Sequence, residues 1–252
     1  MNRTIRKVIF TTGWSILIAG LIILLAFSAR ETAGIKCSQI AVKYSGSEVI
    51  RLSERDIIHL ARSGGEQIIG EKMEKINTEA IEKAVAKSGA ILKADAYKTY
   101  IRDTAGLRGV VTIKVRHRVP VLRIFSSQGN YYMDKEGYRI PVSVNYAAEV
   151  PVATGNISAD MARDELLPFV DFIQHNKFWK AQIKQIHVNG AGELILSTLV
   201  GNQLIEFGTT ENMEKKFRNL RAFYEQVLKD YNWKKYNRII LKFDNQVIAK
   251  KS

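Results

Sequence analysis

The N-terminal part of the chain contains a long apolar segment without a single charged residue. It runs from Val8 to Ala29 and reads VIFTTGWSILIAGLIILLAFSA. About 20 apolar residues are enough for a helix to cross the hydrocarbon core of a bilayer, so the segment predicts one transmembrane helix over 8–29. Most of the 252 residues follow this segment and are therefore expected to fold on one side of a membrane.

Basic residues in front of the segment indicate its orientation. Arg3, Arg6 and Lys7 precede it, whereas Arg30 behind it is followed by an acidic residue. Positively charged flanks stay in the cytoplasm, so residues 1–7 are predicted to be a cytoplasmic tail of a single-pass, type II protein. A cleaved signal peptide is the alternative, but its apolar region is about 7–15 residues long and the segment here is longer.

The charge of the chain limits its classes of partner. Its 38 Lys and Arg residues against 25 Asp and Glu residues give a formal charge of +13. This excess is spread along the chain, without a continuous basic block or a zinc-finger spacing, and so does not favour nucleic acid. Anionic lipid headgroups or an acidic protein fit it better.

Sequence signatures of catalysis or metal binding are not found in the part behind the apolar segment. It lacks a Gly-x-Ser-x-Gly elbow, a Ser-x-x-Lys pair and a catalytic-cysteine pattern. The histidines His59, His117, His175 and His187 are far apart, and Cys37 is the one cysteine. We therefore expect no enzyme, no cofactor and no metal site.

Residues 37–119 predict a compact α+β module. Cys37–Tyr44 alternates between apolar and polar residues, as in a strand with one buried face. Ser53 and Asn77 each provide a helix start signal with apolar residues on both sides. Two extended segments follow, Ala94–Arg102 and Val110–Arg116. The order strand, helix, helix, strand, strand is typical of helices packed on one face of a small sheet.

Residues 120–252 predict a β domain with an antiparallel sheet and packed helices. Hairpins are indicated at Lys135-Glu136-Gly137 and at Asn189-Gly190. Helical periodicity covers Asp160–Asn176, where Pro168 must lie in the first turn or cause a kink, and Glu211–Lys229. Two final strands are predicted, Arg238–Phe243 and Gln246–Ala249, the second of them at the edge of the sheet.

Four short stretches resemble the FtsQ/DivIB family of bacterial cell-division proteins in their order and spacing. They are Val115–Pro120, Tyr132–Gly137, Val150–Gly155 and Ile240–Val247. The resemblance implies a polypeptide-transport-associated (POTRA) domain next to the membrane, followed by a β domain. It further implies a non-enzymatic scaffold of the divisome in the cell inner membrane, with a periplasmic domain, which supports septal peptidoglycan synthesis at the division site.

The resemblance also implies partners and a binding region. The partners are the FtsB/DivIC-like and FtsL-like membrane-anchored coiled-coil proteins, bound near the C-terminus. By matching positions, Lys242 and Phe243 are predicted contacts, and Gln246, Val247, Ile248 and Ala249 form an edge to which a partner strand adds. The family often has Arg-Tyr where this chain has Lys242-Phe243, and Glu where it has His117. The alternative is that Phe243 belongs to the core and that Gln246–Ala249 only closes the sheet.

Two other functions remain open at this point. One is a membrane-anchored POTRA-type factor for protein transport or outer-membrane assembly, although neither repeated modules nor a series of barrel strands is visible in the sequence. The other is a membrane-anchored enzyme that modifies the cell wall, for which no nucleophile or metal set was found.

Overall fold

The structure is a computed structural model that describes residues 12–24, 34–46, 51–65, 67–104, 106–143, 146–199, 203–228, 235–243 and 246–251. Residues 12–24 form a helix inside the predicted transmembrane segment. Within the described ranges, no helix has the length and apolar character that crossing a bilayer requires. The predicted tail over 1–7 and residues 8–11 and 25–29 of the predicted span lie outside the described residues.

The chain divides into two compact units. The first contains residues up to 44, 54–85 and 94–115, and the second contains residues 45–53, 86–93 and 116–252. The predicted domain limits, 37–119 and 120–252, stay a prediction.

The first unit has the predicted order of elements. They are β1 (Cys37–Tyr44), α1 (Glu54–Ser63), α2 (Thr78–Ala86), β2 (Ile91–Asp103) and β3 (Gly106–His117). Helix α1 follows the predicted cap Ser53 directly, and Asn77 Oδ1 accepts a hydrogen bond from the Ala80 backbone N–H at 3.1 Å in front of α2. Both predicted helix starts are therefore confirmed. They could be predicted because each depends on only a few neighbouring residues.

Strand β3 is the centre of a three-stranded sheet in the first unit. The strand order is β1-β3-β2, and β1 pairs in parallel with β3. Five consecutive residues of β3, Gly109–Ile113, are buried. Consecutive side chains of a strand point to opposite faces, so continuous burial means that both faces of this part of β3 are covered. The buried faces of α1 and α2 supply Ile57 and Ile81 to this unit's interior.

The second unit contains a nine-stranded sheet. Its strands are β4 (Pro120–Ser126), β5 (Gly129–Asp134), β6 (Arg139–Pro141), β7 (Val152–Gly155), β8 (Ile183–Val188), β9 (Leu194–Thr198), β10 (Leu204–Gly208), β11 (Tyr236–Ile240) and β12 (Ile248–Lys251). Their spatial order is β12-β11-β10-β9-β8-β7-β4-β5-β6. Both predicted hairpins are confirmed, whereas the short strands β4 and β7 were not predicted.

The helices of the second unit lie in two connections of the chain. The first contains α3 (Ala159–Met161), a π-helical turn (Ala162–Leu166), α4 (Leu167–His175) and α5 (Lys177–Gln182), and the second contains α6 (Met213–Gln226). Pro168 lies in the first turn of α4, directly behind the π-helical turn, and Leu166 and Leu167 in front of it already have helical backbone angles. Asn176 caps α5 by accepting hydrogen bonds from the backbone N–H groups of Phe178 and Trp179 at 3.1 and 3.2 Å.

The predicted antiparallel sheet is wrong, because the sheet is mixed. Strand β7 is parallel to both β4 and β8, and β10 is parallel to β11, while the remaining pairs are antiparallel. Parallel strands need a crossover of a dozen or more residues, and the two helical connections provide it between β7 and β8 and between β10 and β11. The prediction of a wholly antiparallel sheet overlooked that a helix between two strands allows them to run in the same direction.

One row of side chains forms the inner face of the sheet. In-register pairing aligns Tyr131, Ile124, Ala153, Ile186, Leu196, Ile205, Ile239 and Ala249 across eight strands. All but the last of these are buried. The helices cover this row with an aromatic cluster in which the rings of Phe169, Phe207 and Phe217 lie 4.9 to 5.6 Å apart. This large apolar core holds the terminal strands in place.

Candidate functional site

The candidate site is the C-terminal edge, which we define as residues 242–243 and 246–251. Strand β11 joins the sheet through parallel pairing with β10, and β12 then pairs antiparallel with β11. The side chain of Ile239 is fully buried beside that of Ile205, which anchors β11 in the core. Among the described strands β12 has one neighbour, so its outer backbone groups face away from the sheet. The prediction that the last strand is an edge is confirmed.

Both terminal strands differ from their predicted bounds. Strand β11 ends at Ile240, so Lys242 and Phe243 follow the strand instead of belonging to it. Leu241 is buried, and its N–H donates to Glu206 O at 2.8 Å, a hydrogen bond of the parallel pairing between β10 and β11. Strand β12 begins at Ile248, so Gln246 and Val247 precede it.

Lys242 pairs with two acidic side chains, Glu193 directly in front of β9 and Glu206 in β10. Its Nζ lies 2.5 Å from Glu193 Oε2 and 4.0 Å from Glu206 Oε2. Glu206 also pairs with Arg238 at 2.8 Å, and Asn189 donates to Glu193 at 2.9 Å. The hydrogen bonds from Lys242 and then from Asn189 lower the pKa of Glu193 from its ordinary value. The ion pairs of the Lys242 ammonium therefore attach the C-terminal edge to the neighbouring part of the sheet.

The other predicted contact residues differ in exposure. Phe243 is 56% exposed and Ile248 is 38% exposed, and Gln246 is also exposed. Val247 is half-buried and packs against the main core, and Ala249 is half-buried opposite Ile239 in β11. The alternative reading, in which Phe243 belongs to the core, does not agree with its exposure. A role of these six residues in partner binding stays a prediction.

Sequence reasoning missed two residues of this edge, Glu206 and Arg238. They form the ion pair that lies next to Lys242, on the face of the sheet opposite the buried row. The sequence does indicate the position of Glu206. It stands between Ile205 and Phe207 and must therefore point to the opposite face of β10. Only the parallel register of β10 and β11 brings Arg238 beside it.

The histidines are dispersed over separate elements. His117 is buried, and its Nε2 accepts a hydrogen bond from the Leu52 N–H at 3.1 Å. Burial, followed by the charge of Arg51, lowers the pKa of His117. His187 Nδ1 lies 3.1 Å from Thr154 Oγ1 on the outer face of the sheet. In the part of the chain that the structure describes, no three metal-ligating side chains come together.

Comparison with known proteins agrees with this arrangement. Residues 35–104 match the model of the POTRA-like domain, so the first unit is POTRA-like. Residues 119–250 match the model described as FtsQ/DivIB, C-terminal related. The chain belongs to the FtsQ/DivIB family of cell-division proteins.

Two individual proteins illustrate these similarities. The chain is 23% identical over 265 residues to the cell division protein FtsQ of Salinibacter ruber (strain DSM 13855 / M31), covering 97% of this chain and 94% of that protein. A solved structure, POTRA1-2 of the periplasmic domain of Omp85 from Anabaena, aligns with 66% of this chain and 96% of its own at 11% identity and a TM-score of 0.25. A score this low does not define a shared fold, so the family assignment depends on the sequence matches.

Proposed function

We propose that this protein is a non-enzymatic, membrane-anchored scaffold of the bacterial divisome that supports septal peptidoglycan synthesis. The proposal includes the transmembrane helix over 8–29, a cytoplasmic N-terminus and a periplasmic C-terminal part located at the division site. Its partners are FtsB/DivIC-like and FtsL-like division proteins. The observation that carries the proposal is the open edge β12 in a chain of the FtsQ/DivIB family.

The partner strand adds to the outer side of β12. An edge strand presents a row of backbone N–H and C=O groups that a second chain can pair with, and these hydrogen bonds provide affinity without a special side-chain sequence. Strand β12 is itself firmly placed, because Ile240 lies opposite Ile248 and Ile239 opposite Ala249 in the register with β11. A rigid edge lowers the entropy cost of adding a strand to it.

Exposed side chains next to this edge provide specificity. Phe243 and Ile248 supply apolar surface, while Lys250 and Lys251 are exposed cations on β12 itself. The lysines discourage pairing with unselected strands and attract an acidic segment, so an apolar strand with flanking acidic residues is the partner that fits.

Two proline variants test strand addition. Consecutive N–H groups of a strand point to opposite sides, so of Ala249 and Lys250 one donates toward β11 and the other faces outward. The variants Ala249→Pro and Lys250→Pro should therefore differ in their effects. The variant that loses the N–H pointing to β11 should be less stable. The variant that loses the outward N–H should stay folded but no longer capture the purified FtsB/DivIC-type partner in a pull-down. If both variants stay folded and capture the partner as well as the parent chain, addition at β12 is wrong.

A matched pair of phenylalanines tests the side-chain contribution. Phe243→Ala should weaken partner binding by about 1–2 kcal/mol, because the variant has no aromatic ring to bury against the partner. Phe125 is 58% exposed on β4, against 56% for Phe243, so Phe125→Ala is the control that should bind normally. Equal binding by both variants, measured by calorimetry, contradicts the assignment of Phe243 as a contact.

The cellular role has its own test. Depletion should produce filamentous cells, and a fluorescent fusion to the full chain should localise at midcell. Loss of outer-membrane proteins without filamentation would instead favour a transport or assembly factor. Extraction of the full chain with carbonate tests the anchor, since release into the soluble fraction contradicts a transmembrane helix.

A further inference from the structure

The hairpin of strands β2 and β3 extends beyond the interior of the first unit. The last buried residue of β2 is Ala96, and the first buried residue of β3 is Gly109. None of the described residues between them is buried, and we call residues 97–104 and 106–108 the hairpin arm. Strand pairing and a hydrogen bond from Lys98 Nζ to Glu74 O at 3.4 Å hold the arm, and its exposed side chains are available for a contact outside the unit.

The arm carries exposed apolar and aromatic side chains. Ile101 is 47% exposed, Tyr97 is 41% exposed and Tyr100 is 40% exposed. Consecutive side chains of a strand point to opposite faces, so Ile101 and Tyr100 place apolar surface on both faces of the arm. Arg108 lies at its end and pairs with Asp103. Tyrosine combined with aliphatic and arginine side chains is typical of surfaces that lie at the boundary between lipid headgroups and acyl chains.

The arm points in the direction from which the chain enters the unit. In the parallel register Cys37, at the start of β1, lies beside Gly109 of β3, and Gly109 N–H donates to Lys36 O at 3.3 Å. Residues 106–108 therefore extend about 10 Å past the start of β1, at 3.3 Å per residue. Seven residues separate the predicted span, which ends at Ala29, from Cys37, and such a tether reaches at most about 25 Å.

Charged side chains at this end of the sheet suit an anionic surface. Among the described residues, the side chains of Lys36 and Lys72 have no hydrogen-bond or ion-pair partner. The nearby carboxylates keep their charge but are held toward the backbone: Glu74 accepts from Gly34 N–H at 3.1 Å and Glu71 accepts from Lys72 N–H at 2.9 Å. Lysine side chains close to an anionic membrane surface are attracted to its headgroups.

We propose that the hairpin arm docks into the surface of the anionic bilayer that holds the anchor, with Tyr100 and Ile101 at the depth of the headgroups. This inference rests on the proposed transmembrane anchor. The docked arm gives the first unit a second attachment to the membrane, and this fixes its height and tilt. A single covalent connection to the anchor would not by itself restrict either of them.

The test uses the full chain in liposomes that contain phosphatidylglycerol. An environment-sensitive NBD fluorophore is attached to Ile101→Cys or to the control Lys43→Cys, which is exposed near the far end of β1. The native Cys37 is buried, and the parent chain must take up no label. The Ile101 probe should show blue-shifted emission and quenching by doxyl-labelled lipids, whereas the Lys43 probe should show neither.

The outcomes distinguish an error in the proposed transmembrane anchor from an error in the proposed docking of the arm. If the chain does not float with the liposomes, the anchor itself is wrong. If it floats and the Ile101 probe is as exposed to water as the Lys43 probe, only the docking of the arm is overturned. A shielded Ile101 probe that doxyl lipids do not quench also overturns it and indicates a protein contact. Replacing Tyr100 by Ser in the labelled chain should reduce the quenching without releasing the chain.

Discussion

The prediction that tests the second unit most directly concerns Asp134, at the end of β5. Its side chain is 2% exposed, and Oδ2 lies 2.7 Å from Arg118 Nη1. Its Oδ1 accepts hydrogen bonds from the backbone N–H groups of Glu136 and Tyr138 at 3.1 and 2.8 Å. One carboxylate therefore closes the turn between β5 and β6 and neutralises a mostly buried guanidinium.

The cost of Asp134→Ala follows from these contacts. Removing one partner of a buried ion pair costs about 3–5 kcal/mol, because the other charge stays buried. Arg118 is 15% exposed and its guanidinium stacks over the Tyr138 ring at 4.1 Å, which compensates part of the loss. We therefore expect a loss near the lower limit, about 3 kcal/mol, or a decrease in Tm of about 6–12 °C. Asp134→Asn keeps an oxygen acceptor for the two N–H groups but leaves the guanidinium without a charged partner and turns an amide NH2 group toward it, so it should recover little of the loss.

Urea denaturation of the full chain in detergent micelles measures these values, with tryptophan fluorescence as the signal. Arg118→Met provides the second side of a double-mutant cycle. The loss in the double variant should be smaller than the sum of the two single losses, because each single change leaves one charge without its partner. A loss below about 1 kcal/mol for Asp134→Ala, or strict additivity in the cycle, would refute this reasoning.

Two further predictions concern a glycine and a histidine. Gly155 has φ +104°, and a Cβ there would lie 2.1 Å from Val188 O, so Gly155→Ala should lower the unfolding free energy by at least about 2 kcal/mol. Gly190→Ala, whose Cβ would meet no heavy atom within 4 Å, is the near-neutral control in the same denaturation assay. Since burial lowers the pKa of His117, the folded chain resists its protonation, and the unfolding free energy should fall as the pH decreases below about 6.5. His117→Gln should reduce that slope between pH 7.5 and 5.5, and an unchanged slope assigns the effect to other groups.

The parts of the fold that the sequence predicted are those that depend on neighbouring residues. Asn77 caps α2, and the hairpin at Asn189 forms because its Oδ1 accepts from the backbone N–H groups of Ala191 and Glu193 at 2.9 Å. Turn and cap chemistry needs only about four consecutive residues, so it is readable without knowledge of the rest of the chain. The strand β1 and the periodicity of helix α6 were predicted for the same reason.

Only part of the candidate site could be predicted from the sequence. The edge position of the last strand was predicted, and its exposed lysines agree with it. The bounds were shifted because the pairing of β11 with β10 ends at Ile240, and the extent of that pairing depends on a strand more than 30 residues earlier in the chain. The ion pair between Lys242 and Glu193 joins residues that are 49 positions apart in the sequence, and no local pattern indicates such a pair.

By itself the sequence determined the types and the order of most elements, because caps, turns and apolar periodicity act over one or two turns of chain. The tertiary structure decided the direction and neighbours of the strands, including the placement of β7 between β4 and β8. Parallel pairing joins segments separated by whole helices, and its free energy comes from burying rows of apolar side chains that no single segment contains. The position of Phe243 outside the core was decided at the same level, since exposure at the end of a strand depends on what the neighbouring strands leave uncovered.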